Sequence, residues 1–380
     1  MAQAFGRALL SEWLIEKNLT FLNHGSFGAV PRVVLSAQND WRIRLERQPV
    51  RFINEILGPE LRAAADRLTH FVGAPPESLV FVANSTEGIN AVSRSLSLVP
   101  GDEVLVTDQA YKGTINALCY DCERAGAKLR IVRLPWPTID EKQVLDAVDG
   151  AISDRVRLAV LDHISSHNAV MMPIKKLVEM CHARAIPVLV DGAHAPGMIA
   201  LDIADVGAAW YVGNGHKWLC APKGCALLSV SGDNSSALHP AVISTAHGEG
   251  FWEEFCWTGT RDPTPWLSVT AAIDFWQDLG VDAARTYMGD LANWAGDELV
   301  AKWGTERGAS SELTAAMVTV RVPGNRSADQ DSAYRLHEHL LREYQIEVPV
   351  FPIEDALWVR VSTQVYNCES DVAHLASALS

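Results

Sequence analysis

A mostly parallel α/β sheet flanked by helices, followed by a smaller α+β domain, is the fold class this sequence predicts. Two patterns lead to it. Short apolar, β-branched runs alternate with amphipathic stretches through most of the chain, and near Thr270 that alternation gives way to a different one.

Seven runs have strand length and strand composition: 79–83 (LVFVA), 103–107 (EVLVT), 129–134 (LRIVRL), 157–162 (RLAVLD), 187–191 (PVLVD), 208–213 (AAWYVG) and 225–230 (CALLSV). Between them, Glu87 to Leu98, Lys112 to Ala125, Glu141 to Ile152 and Ile174 to Ala185 place apolar residues at helical spacing. A strand, helix, strand rhythm implies parallel strands covered on both faces. Ligands of such sheets sit beyond the carboxyl ends of the strands.

After about Thr270 comes a long helical region, Ala271 to Trp303, then two strand-like runs, 317–322 (MVTVRV) and 357–362 (LWVRVS). A helix and a Pro-containing segment separate these two runs. The expected division is a large α/β domain over 20–265 and a small α+β domain built from 1–19 and 266–380, with the helix-like N-terminal stretch packing on the latter. No internal repeat or flexible linker is visible, so the two parts are expected to form one rigid unit with a cleft between them.

The composition narrows the function classes. The chain of 380 residues is 48% hydrophobic and 21% charged, enough apolar matter for large cores and no sign of extended disorder. A formal net charge of -14, spread along the chain, disfavours nucleic acid and anionic membranes as partners. No apolar run reaches membrane-span length, and Glu12 and Glu16 interrupt what would be a leader's apolar core, so a cytoplasmic protein is expected. The seven cysteines are odd in number and follow no framework spacing, which fits reduced thiols. Cys119 and Cys122 form a CxxC without a second pair, so no metal is expected there, nor at His163 and His167, which follow a strand.

Three strand ends hold the chemistry. Asp191 closes PVLVD and opens the glycine-containing turn DGAHAPG. Lys217 follows AAWYVG within GNGHKWLCAPKG, among small and apolar neighbours that desolvate an amine and make it a nucleophile toward a carbonyl. Ser85 and Thr86, in ANSTEG, begin a helix directly after a strand, where free amide hydrogens bind phosphate. Singly, each has a plain structural reading: a turn-forming Asp, a surface Lys, a helix cap. Together, a phosphate cradle, an acid and an amine at strand ends point to a phosphorylated aldehyde cofactor.

The segments 22–32 (LNHGSFGAVPR), 83–92 (ANSTEGINAV), 190–197 (VDGAHAPG), 215–224 (GHKWLCAPKG), 259–267 (GTRDPTPWL) and 359–362 (VRVS) occur in an order that resembles the class V aminotransferase family of fold type I pyridoxal 5'-phosphate (PLP) enzymes, and within it the isopenicillin N epimerase group. The resemblance spans nearly the whole chain. It implies PLP fold type I and a PLP cofactor. It also implies that Lys217 is the Schiff-base lysine and proton shuttle, and that Asp191 keeps the pyridine nitrogen protonated. Tyr111 matches the ring that stacks on the cofactor, and His194 the residue near its phenolic oxygen or ring. Ser85, Thr86 and His216 match phosphate contacts, with Glu87 in the same cofactor-binding turn. Thr260 matches a residue that reaches the phosphate of the neighbouring subunit, which implies a homodimer. Arg360 matches the arginine that grips the substrate α-carboxylate, an interaction suited to a planar guanidinium. Asn23 and His24 look like substrate-side residues.

Two departures from the family pattern stand out. Asn214 occupies the usual serine position three places before the lysine, so an amide replaces a hydroxyl at the phosphate. His167, Asn168 and Ala169 replace a small or hydroxylated pair followed by glycine; Asn168 is then a candidate donor to the phenolic oxygen and His167 an additional proton carrier. The expected activity is epimerase-like chemistry at the α-carbon of a small amino acid. Carbon–sulfur β-elimination and transamination are the alternatives. Persulfide-forming desulfuration is disfavoured, because no cysteine lies between Trp257 and Asn367. A non-catalytic PLP-binding module predicts loss of the lysine or the acid, and both are present.

Overall fold

The computed structural model describes residues 5–379 except residue 138. Twelve strands among the described residues are named in chain order: β1 (Thr20–Phe21), β2 (Leu79–Val82), β3 (Glu103–Thr107), β4 (Lys128–Val132), β5 (Val156–Asp162), β6 (Val188–Asp191), β7 (Trp210–Asn214), β8 (Ala226–Val230), β9 (Met317–Arg321), β10 (Ile346–Glu347), β11 (Val350–Ile353) and β12 (Ala356–Ser362). β2 to β8 form one sheet of seven, in the order β2-β8-β7-β6-β5-β3-β4. All seven strand runs read from the sequence are present.

Only β8 runs antiparallel to its neighbours, β2 and β7. The cause is local. Residues 215–225 are too few for the helical crossover that a parallel connection needs, so the chain reverses and β8 returns beside β7. That reversal lies at the carboxyl end of β7 and contains Lys217.

Alternate side chains of the strands enter two cores. Leu79 and Phe81 of β2 join the core shared with helices Arg32–Arg47 and Leu57–Phe71, while Val80 and Val82 join the core beneath helix Ser85–Ser95. Each fully buried Val, Leu or Phe contributes about 1.5–3 kcal/mol relative to exposure. A third core, including Val318, Val320, Val359 and Val361, lies under a small antiparallel sheet of order β11-β12-β9.

Two features differ from the sequence reading. The long helical region is two helices, Val269–Leu279 and Val281–Trp303, separated by Gly280 at φ +80°, a conformation that glycine adopts without strain. The Pro-containing segment forms β11, an edge strand, where Pro352 is tolerated. The N-terminal stretch forms a 3₁₀ helix, Arg7–Glu12, and Trp13 packs edge-on against Phe275 and Tyr366.

Candidate active site

The carboxyl ends of the large sheet face β11 and β12 across a cavity of about 560 Å³. Ser85, Thr86, Tyr111, Asp162, Asp191, His194, Asn214, His216 and Lys217 line it from the sheet side, and Phe351 and Arg360 from the small sheet. Asp191, Lys217 and the helix start at Ser85 thus open on one space.

Lys217 is buried, and its Nζ lies 3.2 Å from Nε2 of His194. The other ring nitrogen of His194, Nδ1, accepts from the Trp218 indole N–H at 3.3 Å. A neutral imidazole with Nδ1 accepting must carry its proton on Nε2, so His194 donates to the lysine amine when that amine is neutral. Burial, aided by the Arg360 charge and opposed by Asp191, brings the Lys217 pKa down to about 8. Burial above all holds His194 far below its ordinary value, in keeping with a neutral ring.

Asp191 ends β6, where its Oδ1 accepts from the Ala193 N–H at 3.1 Å and its Oδ2 from the Thr114 hydroxyl at 3.2 Å. Asp162 ends the adjacent strand in register with it. Burial, and then the Asp191 charge, push the Asp162 carboxyl well up. Burial also raises Asp191, but the Ala193 amide, Lys217 and Thr114 oppose this. Of the two carboxyls, Asp191 thus has the hydrogen-bond donors and the cation that favour its charged form, while Asp162 is pushed up by burial and by Asp191.

A set of donors that fits a phosphate is assembled from the turn after β2. Asn84 caps helix Ser85–Ser95 by accepting from the Glu87 N–H at 2.9 Å. Asn214 accepts the Ser85 N–H at 2.9 Å through Oδ1, which leaves its amide nitrogen for the cavity. The Ser85 hydroxyl is buried without a partner, a donor placed where a phosphate oxygen would take it. His216 shares Nδ1 with the Cys225 carbonyl at 3.0 Å, and burial lowers its pKa to about 4. A phosphate dianion bound here would draw a proton onto Nε2. The donor set fits a phosphorylated pyridine aldehyde: helix amides, hydroxyl and amide at one end, amine and acid at the other.

Arg360, on β12, is 1% exposed. Its Nη1 donates to the Ser166 carbonyl at 2.6 Å and its Nη2 to the Ser26 hydroxyl at 2.9 Å, while Nε is buried without a partner. His167 lies against Phe351, ring centroids 4.4 Å apart, and burial, then Arg360 and Lys217, bring its pKa to about 4.

A family model for aminotransferase class-V matches residues 57–375. The chain belongs to the class-V aminotransferase family. Among curated relatives of this class-V enzyme, the isopenicillin N epimerase of Amycolatopsis lactamdurans is 34% identical, covering 96% of this chain and 95% of the relative. The probable chloroplastic L-cysteine desulfhydrase of Arabidopsis thaliana is 30% identical over 94% of this chain and 82% of its own. Solved structures similar in fold include a C-DES mutant with glycine covalently linked to the PLP cofactor (TM-score 0.84, 21% identity, 97% and 98% coverage). The cysteine desulfurase CsdA of Escherichia coli is similar at TM-score 0.80 and 21% identity, with 99% and 98% coverage. The class-V chain is thus a PLP-dependent enzyme of fold type I.

Several sequence-predicted site residues of this class-V enzyme lie outside the cavity wall. His24 is buried; its Nδ1 meets the Tyr366 hydroxyl at 2.9 Å and its Nε2 the Lys217 carbonyl at 3.1 Å, so both nitrogens are engaged behind the lysine segment. Asn23 donates to Glu347 at 2.7 Å and receives Arg360 Nη2 at 3.4 Å, a position behind the guanidinium rather than in front of it. Asn168 is buried away from the cavity, its carbonyl accepting from Thr319 at 2.8 Å. Glu87 turns back to accept the Ala83 N–H at 2.5 Å and lies 3.9 Å from Arg261. Thr260 is exposed and does not line the chain's own cavity. Conversely, Ser26, Phe27, Asp162, Ile164, Ser166 and Phe351 line the cavity without having been singled out. Asp162, an acid closing an apolar strand as Asp191 does, was the one with a readable signal.

No helix among the described residues is long and apolar enough to cross a membrane. Among the described residues, no cysteine lines the cavity.

Proposed function

We propose that this PLP enzyme removes and returns the α-proton of a small amino acid or amino-acid conjugate, and so acts as an epimerase or racemase. The carrying observation is that two nitrogen bases, Lys217 and His167, open on one cavity with Arg360. Inversion at a carbon needs a proton taken from one face and returned to the other. Burial lowers the proton affinity of both nitrogens, to about 8 at Lys217 and about 4 at His167, which suits reversible transfer.

The substrate carboxylate docks at Arg360, whose buried, unpartnered Nε–H is the donor available to it. Held there, the α-carbon is fixed relative to Lys217. When bound, PLP supplies the electron sink for the negative charge that develops at that carbon. Asp191 holds the ring nitrogen's charge, and His194, hydrogen bonded to Lys217, orients the amine. Tyr111 at the cavity mouth and Ser85, Thr86, Asn214 and His216 around the phosphate complete the binding set. A homodimer in which Thr260 serves the neighbouring cavity is part of the proposal, supported by its exposure here.

A second reading, carbon–sulfur β-elimination on a cysteine derivative, is supported by relatives named L-cysteine desulfhydrase at 30–31% identity. It uses the same proton removal by Lys217 and asks His167 to protonate the departing sulfur. One assay separates the readings: purified enzyme with L-amino acids and cysteine conjugates, following the D-isomer, pyruvate and the oxo acid together. D-isomer without pyruvate is the expected result. Pyruvate with sulfide or thiol release selects elimination, and a lasting pyridoxamine spectrum with oxo acid selects transamination.

A further inference from the structure

Outside the cavity, the loop between β8 and the segment containing Thr260 brings together two imidazoles and a carboxylate. Nδ1 of His239 lies 2.8 Å from Oε2 of Glu254, and Nδ1 of His247 lies 3.6 Å from the same oxygen. The potential ligand atoms of all three residues fall within 4.8 Å of one another. None of the three lines the PLP cavity.

The carboxylate is prepared for a ligand role. Its side chain is 5% exposed on the short helix Phe251–Cys256, and its second oxygen, Oε1, accepts the Gly248 N–H at 3.1 Å, which fixes the orientation of Oε2. His239 is anchored as well: its backbone N–H donates to the Ser95 hydroxyl at 3.0 Å, at the far end of the helix that starts at Ser85. The imidazoles are open to solvent, with side chains 40% and 57% exposed, so an ion has an entry path.

We propose that His239, His247 and Glu254 form a structural divalent-cation site of the zinc class, with water completing the coordination. Two imidazole nitrogens and one carboxylate oxygen are a borderline set that favours zinc over magnesium or calcium. Ligand atoms about 2.0–2.2 Å from zinc sit roughly 3.4 Å from one another around a tetrahedron. The His247 separation already matches, and the His239 ring has to retreat by about half an ångström. The ion replaces the His239–Glu254 hydrogen bond and the longer His247–Glu254 contact. Each ring offers Nδ1 to the metal. The ion ties residues 239–254 together just before the loop that contains Thr260.

The test is zinc titration of metal-free, PLP-loaded protein by equilibrium dialysis and calorimetry, repeated with cobalt to record its visible ligand-field bands. One ion per chain is expected. Affinity should fall at least about tenfold in His247→Ala, an exposed position, and in the isosteric Glu254→Gln, while Cys119→Ser/Cys122→Ser leaves it unchanged. Absence of saturable zinc binding overturns the proposal. So does binding that survives both ligand variants or is lost with the two cysteines.

Discussion

Lys217 is kept reactive by its surroundings: burial removes the water that would solvate an ammonium, and the Arg360 charge adds to that effect. Arg360→Leu removes a positive neighbour, so the lysine pKa should rise above its present value of about 8. The amine attacks a carbonyl only when neutral. The rate at which apoenzyme takes up PLP should therefore climb with pH through about 8 in the native protein, and at higher pH in Arg360→Leu. An unmoved midpoint in the variant would remove the electrostatic explanation. In the proposed binding mode Asp191, which accepts from the Ala193 N–H and the Thr114 hydroxyl, faces the other end of the cofactor, beside Asp162, whose carboxyl burial pushes well up. Asp191→Asn should weaken PLP binding by roughly ten- to a hundredfold, the worth of a charged hydrogen bond, whereas the isosteric Asp162→Asn should change it by less than about threefold. Fluorescence titration of the apoenzyme with PLP measures both; equal losses would mean that the charge is shared. The placement of Lys217 and Asp191 on one cavity was legible in the sequence because Asp191 closes an apolar strand and Lys217 follows another within a glycine-containing turn. His24 and Asn168 were not, because a motif places a residue near a site but does not say which way its side chain turns.

At the scale of elements, the reversal between β7 and β8 decides where the lysine goes, and the N-terminal loop closes over it. Gly28, at φ +67°, has no room for a side chain: a Cβ would come within 2.3 Å of the His216 carbonyl oxygen and 2.9 Å of that of Lys217. Gly28→Ala should cost about 1–3 kcal/mol from backbone strain alone and displace the lysine segment. The expected result is a lower melting temperature together with weaker PLP retention. A stable variant with normal PLP binding would show that the loop and lysine segment move independently. The inner sheet strands were readable because both faces are buried and their runs are largely apolar, and the exposed edge strand β4 was readable from the β-branched and aliphatic residues in its run. β11 was not, since an edge strand of four residues with an internal proline lacks both length and alternation. The break at Gly280 was missed for a related reason: apolar spacing continues on either side of it, and periodicity does not report one left-handed residue.

Across the whole molecule, the site exists only because two sheets of different sequence regions meet: one supplies acid, amine and phosphate cradle, the other Arg360 and Phe351. Thr260 belongs to this scale, since it is exposed in a single chain. If the enzyme is a homodimer with shared cavities, Thr260→Ala should lower PLP affinity by roughly tenfold while leaving the chain's own stability nearly unchanged. Sedimentation should then show a dimer in both forms. A monomer with full PLP affinity would contradict the shared site. The most direct test of the central claim, one ring held between residues 191 and 217, is borohydride reduction of the PLP-loaded enzyme followed by peptide mass mapping. A single pyridoxyl group on Lys217 is predicted; the label on Lys223 or another lysine instead, with Lys217 unmodified, would contradict the account.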